Sequence, residues 1–392
     1  MIPRDLMPVL RRVAEQYPVV TLTGPRQSGK TTLVRHAFAD LAYVSVEPLD
    51  VRAEVAEDPR GFLAAHPDGA VIDEAHHVPG LFSYLQQEVD ERPAPGRFVL
   101  TGSQHLGLTA AVTQSLAGRS AVLELHPLSW AELCRVPTHP SDLWEAVWAG
   151  GYPRIWDRAI SPDRWLRDYT ATYVERDARQ VLNIGDLQAF RTFMELVAGR
   201  TAQEENLTAL GSDAGVARNT VAAWMSVLEA TFIAFRLPAW SPNVRKRAVK
   251  AAKMHLSDTG LACHLLGITD PAQLRRHPLR GGLFETWVAG EIRKARANRG
   301  ETRGLHHYRE TRGHEIDLIV EGGAALRLVE MKSGATTAGD WFDGLRTAAD
   351  GVGELSAGHD RAESILLYGG DRRTTRRGTT VLPWNRVHDI KW

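Results

Sequence analysis

The sequence predicts an α/β protein of more than one domain. Short apolar runs such as Val19-Val20-Thr21-Leu22 and Ala70-Val71-Ile72 have the length of buried strands, and helical stretches lie between them. A middle stretch, Leu187–Gly199, instead places Leu187, Phe190, Phe193, Met194 and Val197 at helical spacing. The length, 392 residues, exceeds what one hydrophobic core usually spans, so two or three domains are expected.

Bulk properties exclude several classes. The chain is 43% hydrophobic and 24% charged, as ordinary globular proteins are. Met1-Ile2-Pro3-Arg4-Asp5 lacks the basic head and apolar core of a secretion signal, and no apolar stretch reaches the length of a membrane span. A cytoplasmic protein with no membrane partner is expected. Cys134 and Cys263 are the two cysteines, too few for a disulfide framework or a cysteine metal cluster. Formal net charge is zero but uneven. Residues 1–150 carry 12 Lys/Arg and 18 Asp/Glu, a net of −6, and the remainder carries 35 and 29, a net of +6. The surplus is local: Arg245-Lys246-Arg247 with Lys250 and Lys253, then Arg372-Arg373 and Arg376-Arg377. Such runs are either solvated surface or contacts to a nucleic acid backbone.

Directly after the first strand, Gly24-Pro25-Arg26-Gln27-Ser28-Gly29-Lys30-Thr31 follows the spacing G-x-x-x-x-G-K-[ST], with Thr32 next. Backbone N–H groups of such a loop, and of the helix it opens at Lys30, point at phosphate oxygens. Lys30 is expected to reach the β and γ phosphates, and the Thr31 hydroxyl to ligate Mg²⁺. ATP or GTP is the expected ligand. A second strand over Ala42–Val46 follows, and then Gly69-Ala70-Val71-Ile72-Asp73-Glu74 supplies an acidic pair at a strand end. Asp73 is expected to hold the water shell of Mg²⁺, and Glu74 to act as general base. His76 and His77 follow without the H-E-x-x-H order of a metal helix, so they read as polar residues at a helix start.

A further strand, Arg97–Thr101, ends in Gly102-Ser103-Gln104. Ser103 or Gln104 would sense the γ-phosphate or orient water; the alternative is a small-residue turn. Gly118-Arg119 precedes the strand Ser120–Leu125, and Arg119 is a candidate phosphate-contacting arginine across a subunit boundary.

Gly150-Gly151-Tyr152-Pro153 marks the exit from the first domain. Ser161 and Pro162 open a helix that carries Arg176, a second candidate trans-acting arginine or a salt-bridge partner within the helical region. Leu207–Gly211, a turn at Gly215 and a longer helix resemble a helix-turn-helix. Arg218, Asn219 and Thr220 would face a major groove, and Phe232–Leu237 would form a wing strand. Protein docking is the competing use of such a module. At the C-terminal end, a helix opens at Gly282-Leu283-Phe284-Glu285, strands are expected over His306–Arg309, His314–Val320 and Leu326–Gly334, and Ser364–Tyr368 and Val381–Trp384 complete the sheet. Glu330 and Lys332 share one side of their strand, where Asp317 can meet them. Asp317 and Glu330 would hold Mg²⁺, Glu285 would complete its shell, and Lys332 would orient water. The segment Gly369–Thr380 reads as a polar, basic loop.

Thr23–Thr32, Val71–Ala75 and Leu100-Thr101-Gly102-Ser103 resemble the AAA-type P-loop ATPases of archaea and bacteria that carry an uncharacterised C-terminal domain. Further matches are Leu128-Ser129-Trp130, Gly150-Gly151-Tyr152-Pro153, Tyr173-Val174-Glu175-Arg176-Asp177 and Ser257-Asp258-Thr259-Gly260-Leu261. Together they cover almost the whole chain. The resemblance implies an AAA-like ATPase using ATP and Mg²⁺ over 1–145, a helical and winged-helix region over 146–274, and a nuclease-like fold over 275–392. Asp317 followed after twelve residues by Glu330-x-Lys332, with Glu285 on the preceding helix, resembles the PD-(D/E)xK nucleases, a restriction-endonuclease-like fold. Two readings follow: an ATPase coupled to DNA binding or processing, or an ATP-dependent switch acting on a protein partner with the nuclease-like domain inert. An arginine supplied in trans implies a ring or dimer.

Overall fold

The computed structural model describes residues 2–103, 112, 115–173, 186–241, 251–309, 315–322, 325–347 and 361–392. They form two compact units, one of residues 1–128 with 230–232 and 296–302, the other of 129–229, 233–295 and 303–392. Among the described residues no helix is long and apolar enough to cross a membrane.

The first unit is built on a parallel five-stranded sheet of β1 (Val19–Thr23), β2 (Ala42–Ser45), β3 (Ala70–Asp73), β4 (Phe98–Gly102) and β5 (Ser120–Glu124), in the order β2-β3-β4-β1-β5. The inner strands β1, β3 and β4 are buried along their whole length, which is why they read as unbroken apolar runs. Their residues alternate between two cores. Val19, Ile72, Phe98 and Leu100 pack with Leu81, Phe82 and Leu85 of helix α5 (Leu81–Glu91). Val20, Leu22, Val71 and Val99 pack with Leu10 and Ala14 of α1 (Met7–Ala14) and with Leu33 and Val34 of α2 (Lys30–Ala37). Helices α3 (Leu49–Glu57) and α4 (Pro59–Ala64) lie between β2 and β3 in sequence. Because β4 sits between β1 and β3, the ends of these three strands bring the loop after β1, the acidic pair after β3 and Ser103 to one edge of the sheet.

The second unit begins with short helices, Trp130–Leu133, Leu143–Ala149 and Pro153–Asp157, then Pro162–Tyr173 and Leu187–Gly199. Strand β6 (Gln203–Glu204) follows, then helices Leu207–Ala214 and Arg218–Ala230, and strands β7 (Ala234–Leu237) and β8 (Lys253–Leu256). The three strands pair antiparallel in the order β6-β8-β7. Asn206 caps the first helix of this pair, and Gly215 ends it in the left-handed conformation, φ +69°. Phe190, Phe193 and Trp224 pack as an aromatic cluster beneath the pair. The C-terminal part holds the helix Arg280–Ala297 and a mixed six-stranded sheet of β9 (Leu305–Arg309), β10 (Glu315–Gly322), β11 (Ala325–Lys332), β12 (Arg361–Tyr368), β13 (Thr374–Arg376) and β14 (Thr379–Pro383), in the order β13-β14-β12-β11-β10-β9. The expected loop over 369–380 is therefore corrected. It contains β13, which pairs antiparallel with β14 around Arg377-Gly378, both at positive φ.

One side chain outside every motif anchors the first unit. Arg4 is buried, and its guanidinium donates to the carbonyl of Ser28 at 2.7 Å and to that of His126 at 2.6 Å. Charge-assisted bonds of this kind are each worth about 1.5–3 kcal/mol when buried. Arg4→Ala is expected to destabilise the first unit by about 3 kcal/mol or more, read as a drop in Tm by calorimetry, whereas Arg12→Ala on exposed surface should leave Tm unchanged.

Candidate functional site

The loop after β1 has the geometry of a phosphate cradle. Gly24 has φ +147°, and a Cβ there would collide with the Leu125 carbonyl. Gln27 and Gly29 also adopt positive φ, and Gly29 is the cap from which α2 starts at Lys30. Lys30 is buried, and its Nζ donates to the carbonyls of Gly24 and Pro25, both at 2.9 Å. Ser28 Oγ is buried without a hydrogen-bond partner among the described residues. Pro25, Arg26 and Thr32 belong to the same loop and helix start.

Thr31 Oγ1 donates to Asp73 Oδ2 at 2.9 Å, and Tyr43 Oη donates to the same oxygen at 2.6 Å. Thr101 Oγ1 donates to Asp73 Oδ1. Glu74 sits in the left-handed region at φ +58°, with its backbone N–H donating to Thr101 Oγ1 at 3.3 Å. Its Oε2 accepts from the Ser103 N–H at 3.1 Å and from Ser103 Oγ at 3.2 Å, and lies 3.2 Å from His76 Nδ1. Burial raises the Glu74 carboxyl, but the His76 ring and the charges of Lys30 and Arg26 outweigh it and hold the group far below the usual carboxylate range. Burial, then the Asp73 carboxylate, pushes the Tyr43 phenol up, so it stays a donor. His76 and His77 form a short 3₁₀ turn with Ala75, their rings tilted against each other at 4.2 Å between centroids. Burial and its neighbour His76 lower His77 to about 4.

The donor set fits a triphosphate with Mg²⁺. It offers a glycine-bounded loop, a lysine, an orphaned hydroxyl at Ser28, and a threonine hydroxyl beside an aspartate. No local sequence pattern marks Tyr43 and Thr101 as partners of Asp73, or Arg4 as a partner of the loop. Arg119 lies at the opposite edge of the sheet from the loop, and Asp90 engages it at 2.5 and 2.8 Å. Gln104 and Arg176 lie outside the described residues, as do Arg245, Lys246, Arg247 and Lys250. Arg218 and Asn219 are exposed at the start of the helix Arg218–Ala230, with Thr220 half-buried beside them.

The four polar residues expected at the C-terminal sheet do converge. Glu330 and Lys332 share one face of β11, with Lys332 Nζ 2.5 Å from Glu330 Oε1. A register shift in the pairing of β10 with β9, between Ile316 and Ile319, brackets Asp317, whose Oδ2 accepts from the Met331 N–H at 2.8 Å. Glu285 reaches the same place from its helix, but its partner is a residue the sequence reading left in a surface run. Lys253 Nζ lies 2.8 Å from Glu285 Oε1, 2.7 Å from Glu315 Oε1 and 3.6 Å from Asp317 Oδ1. Burial disfavours the Lys253 ammonium, yet Glu285 and Asp317 outweigh it and keep it charged. Burial, then Asp317, raises the carboxyls of both Glu285 and Glu330 against the opposing lysines. Among the described residues no group of three or more His, Cys, Asp or Glu is arranged to hold a metal ion. The basic hairpin is occupied internally: Arg377 pairs with Asp343 at 3.3 Å, Arg373 with Asp389 at 3.7 Å, and Arg376 lies over the Phe342 ring.

Family models match residues 16–134 as an AAA domain, 140–272 as a domain of unknown function (DUF8612) and 280–387 as a domain of unknown function (DUF4143). The uncharacterized proteins Rv2008c of Mycobacterium tuberculosis and Mb2031c of Mycobacterium bovis are each 31% identical over 324 residues, covering 81% of this chain and 71% of theirs. The chain belongs to their family. Its first unit contains an AAA-type P-loop ATPase domain, and the remainder adds helical and α/β regions. Among solved structures, the Walker-type ATPase PABY2304 of Pyrococcus abyssi is 14% identical with a TM-score of 0.42, covering 68% of this chain and 96% of that one. The RuvB Holliday junction branch migration motor of Thermotoga maritima is 20% identical with a TM-score of 0.29, covering 59% and 87%.

A carboxyl raised in the folded state binds protons there that the unfolded chain has already lost. Its stabilising share is full below the ordinary carboxylate range and is lost as pH rises through the folded value. Glu285→Gln should therefore flatten the fall in Tm of the second unit between pH 5 and pH 9, measured by calorimetry against the wild-type chain.

Proposed function

We propose that this protein is a Mg²⁺-dependent ATPase whose nucleotide state is coupled to DNA through the regions that follow the AAA domain. The observation that carries the first half is the convergence of Lys30, Thr31, Asp73 and Glu74 at one sheet edge, with Thr31 bonded to Asp73 and Glu74 held by Ser103. The loop Gly24–Thr32 holds the phosphates through its backbone, and Ser28 Oγ finds its missing partner in a phosphate oxygen. Lys30 carries positive charge to the β and γ phosphates. Thr31 and Asp73 hold Mg²⁺, which offsets phosphate charge when bound. Glu74, kept ionised, takes a proton from the attacking water, and Ser103 fixes the orientation of its carboxylate. Arg119 and Arg176 are the candidates for an arginine supplied to a neighbouring copy, which makes a homo-oligomer the working assembly.

The coupling to DNA is supported by element order. Helix Leu187–Gly199, strand β6, the two helices of the helix-turn-helix and strands β7 and β8 follow one another as in a winged helix, with Arg218 and Asn219 exposed at the second helix start. Strands β7 and β8 stand where a winged helix has its wing, and the sequence between them carries Arg245-Lys246-Arg247. We assign residues 1–145 to the ATPase, 146–274 to the helical and winged-helix region, and 275–392 to a domain like the PD-(D/E)xK nucleases. A second reading, a switch acting on a protein with that domain inert, is favoured by the ion pairs of Lys253 with Glu285 and Glu315.

Lys30→Ala should abolish ATP binding by calorimetry. Glu74→Gln should bind ATP normally and hydrolyse it at least about a hundredfold more slowly; unchanged turnover removes Glu74 as the base. Arg218→Ala should weaken duplex DNA binding and reduce its salt dependence in fluorescence anisotropy, and a protein that binds no DNA leaves the switch reading.

A further inference from the structure

The PD-(D/E)xK resemblance assigns a divalent ion to Asp317 and Glu330, with Glu285 completing its shell. Each of those carboxylates already has a donor. Asp317 Oδ2 takes the Met331 N–H, and Glu330 takes Lys332. Glu285 takes Lys253, which also reaches Glu315 and stands 3.6 Å from Asp317 Oδ1. One ammonium thus faces three carboxylates from two elements, the helix Arg280–Ala297 and β10.

Lys253 has little room to withdraw. It is 4% exposed. Its strand, β8, is the central one of three: Lys253 is in register with Glu204 of β6 on one side and Leu237 of β7 on the other. A divalent ion bound at about 2.0–2.1 Å from the same carboxylate oxygens would sit against this ammonium, and two cations sharing those oxygens repel each other at short range in a buried setting. The burial cost of the carboxylates is offset by the lysines.

We infer that the Lys253 ammonium is the resident cation of this cluster in place of a divalent metal, so that the C-terminal domain does not cleave by metal-dependent hydrolysis. The inference rests on the nuclease-like reading of that domain and is independent of ATP turnover. Its consequence is that the cluster is a structural tie between β8 of the winged-helix region and the C-terminal sheet, and that removing the lysine uncovers a latent cation site.

The test uses the full chain without nucleotide and Mn²⁺ as the probe, followed by loss of the free aquo-ion signal in electron paramagnetic resonance. Wild-type chain should take up no Mn²⁺ that Asp317→Asn abolishes. Lys253→Met should gain one site, at least tenfold tighter than any wild-type uptake, and the added Asp317→Asn substitution should remove it. Wild-type uptake that Asp317→Asn abolishes overturns the inference, whether or not Lys253→Met folds. A folded Lys253→Met chain that gains no site also overturns it. ATP binding by the wild-type chain is read separately by calorimetry, so a failed ATPase assignment and a failed cation assignment are told apart.

Discussion

The Asp73 carboxylate is the point on which the nucleotide edge of the first unit depends. It is 6% exposed, and a carboxylate so placed is costly unless its oxygens are satisfied. Three hydroxyls satisfy it, each from a different element: Thr31 from α2, Tyr43 from β2 and Thr101 from β4. Satisfying one buried anion therefore fixes the start of the P-loop helix, an edge strand and the inserted strand against β3. The Thr101 hydroxyl does more than donate. It also accepts the Glu74 N–H, so one oxygen sets the distance between the two acids.

Glu74 shows what this arrangement costs locally. A non-glycine residue at φ +58° is in a sparsely populated conformation that persists only where its surroundings impose it. Here the imposing contacts are the Thr101 hydroxyl on its N–H and Ser103 on its carboxylate. The strained turn aims the Glu74 side chain at Ser103, so the two acids serve different partners although they are adjacent in sequence. Arg4 supports the other side of the site by holding the Ser28 carbonyl, which fixes the direction of the peptide just before Gly29.

The P-loop and acidic pair were legible in the sequence because a phosphate cradle is local: its glycines, lysine and threonine must be neighbours along the chain. The inner strands were legible because burial on both faces leaves an uninterrupted apolar run. Lys253 was not legible. It lies 32 residues before Glu285, in a basic stretch that reads as solvated surface, and nothing local marks a lysine that will meet carboxylates from a distant helix and strand. Arg4 was hidden for the same reason, with partners 24 and 122 residues away. The β13–β14 hairpin did carry a signal. Arg377-Gly378 between two polar threonine-rich runs is a two-residue turn, obscured because β13 is exposed and lacks apolar alternation.

Two of the buried acidic centres among the described residues are compensated in different currencies. Around Asp73 the compensating groups are hydroxyls, which donate hydrogen bonds and add no charge. The carboxylate keeps its negative potential and remains attractive to a cation. Around Glu285, Glu315 and Asp317 the compensating group is an ammonium, which satisfies the oxygens and cancels charge at once. Hydrogen-bond satisfaction alone does not distinguish these centres; the charge of the donor does. A carboxylate cluster matched by neutral donors is prepared for a divalent ion, whereas one matched by a buried lysine has its cation built into the chain.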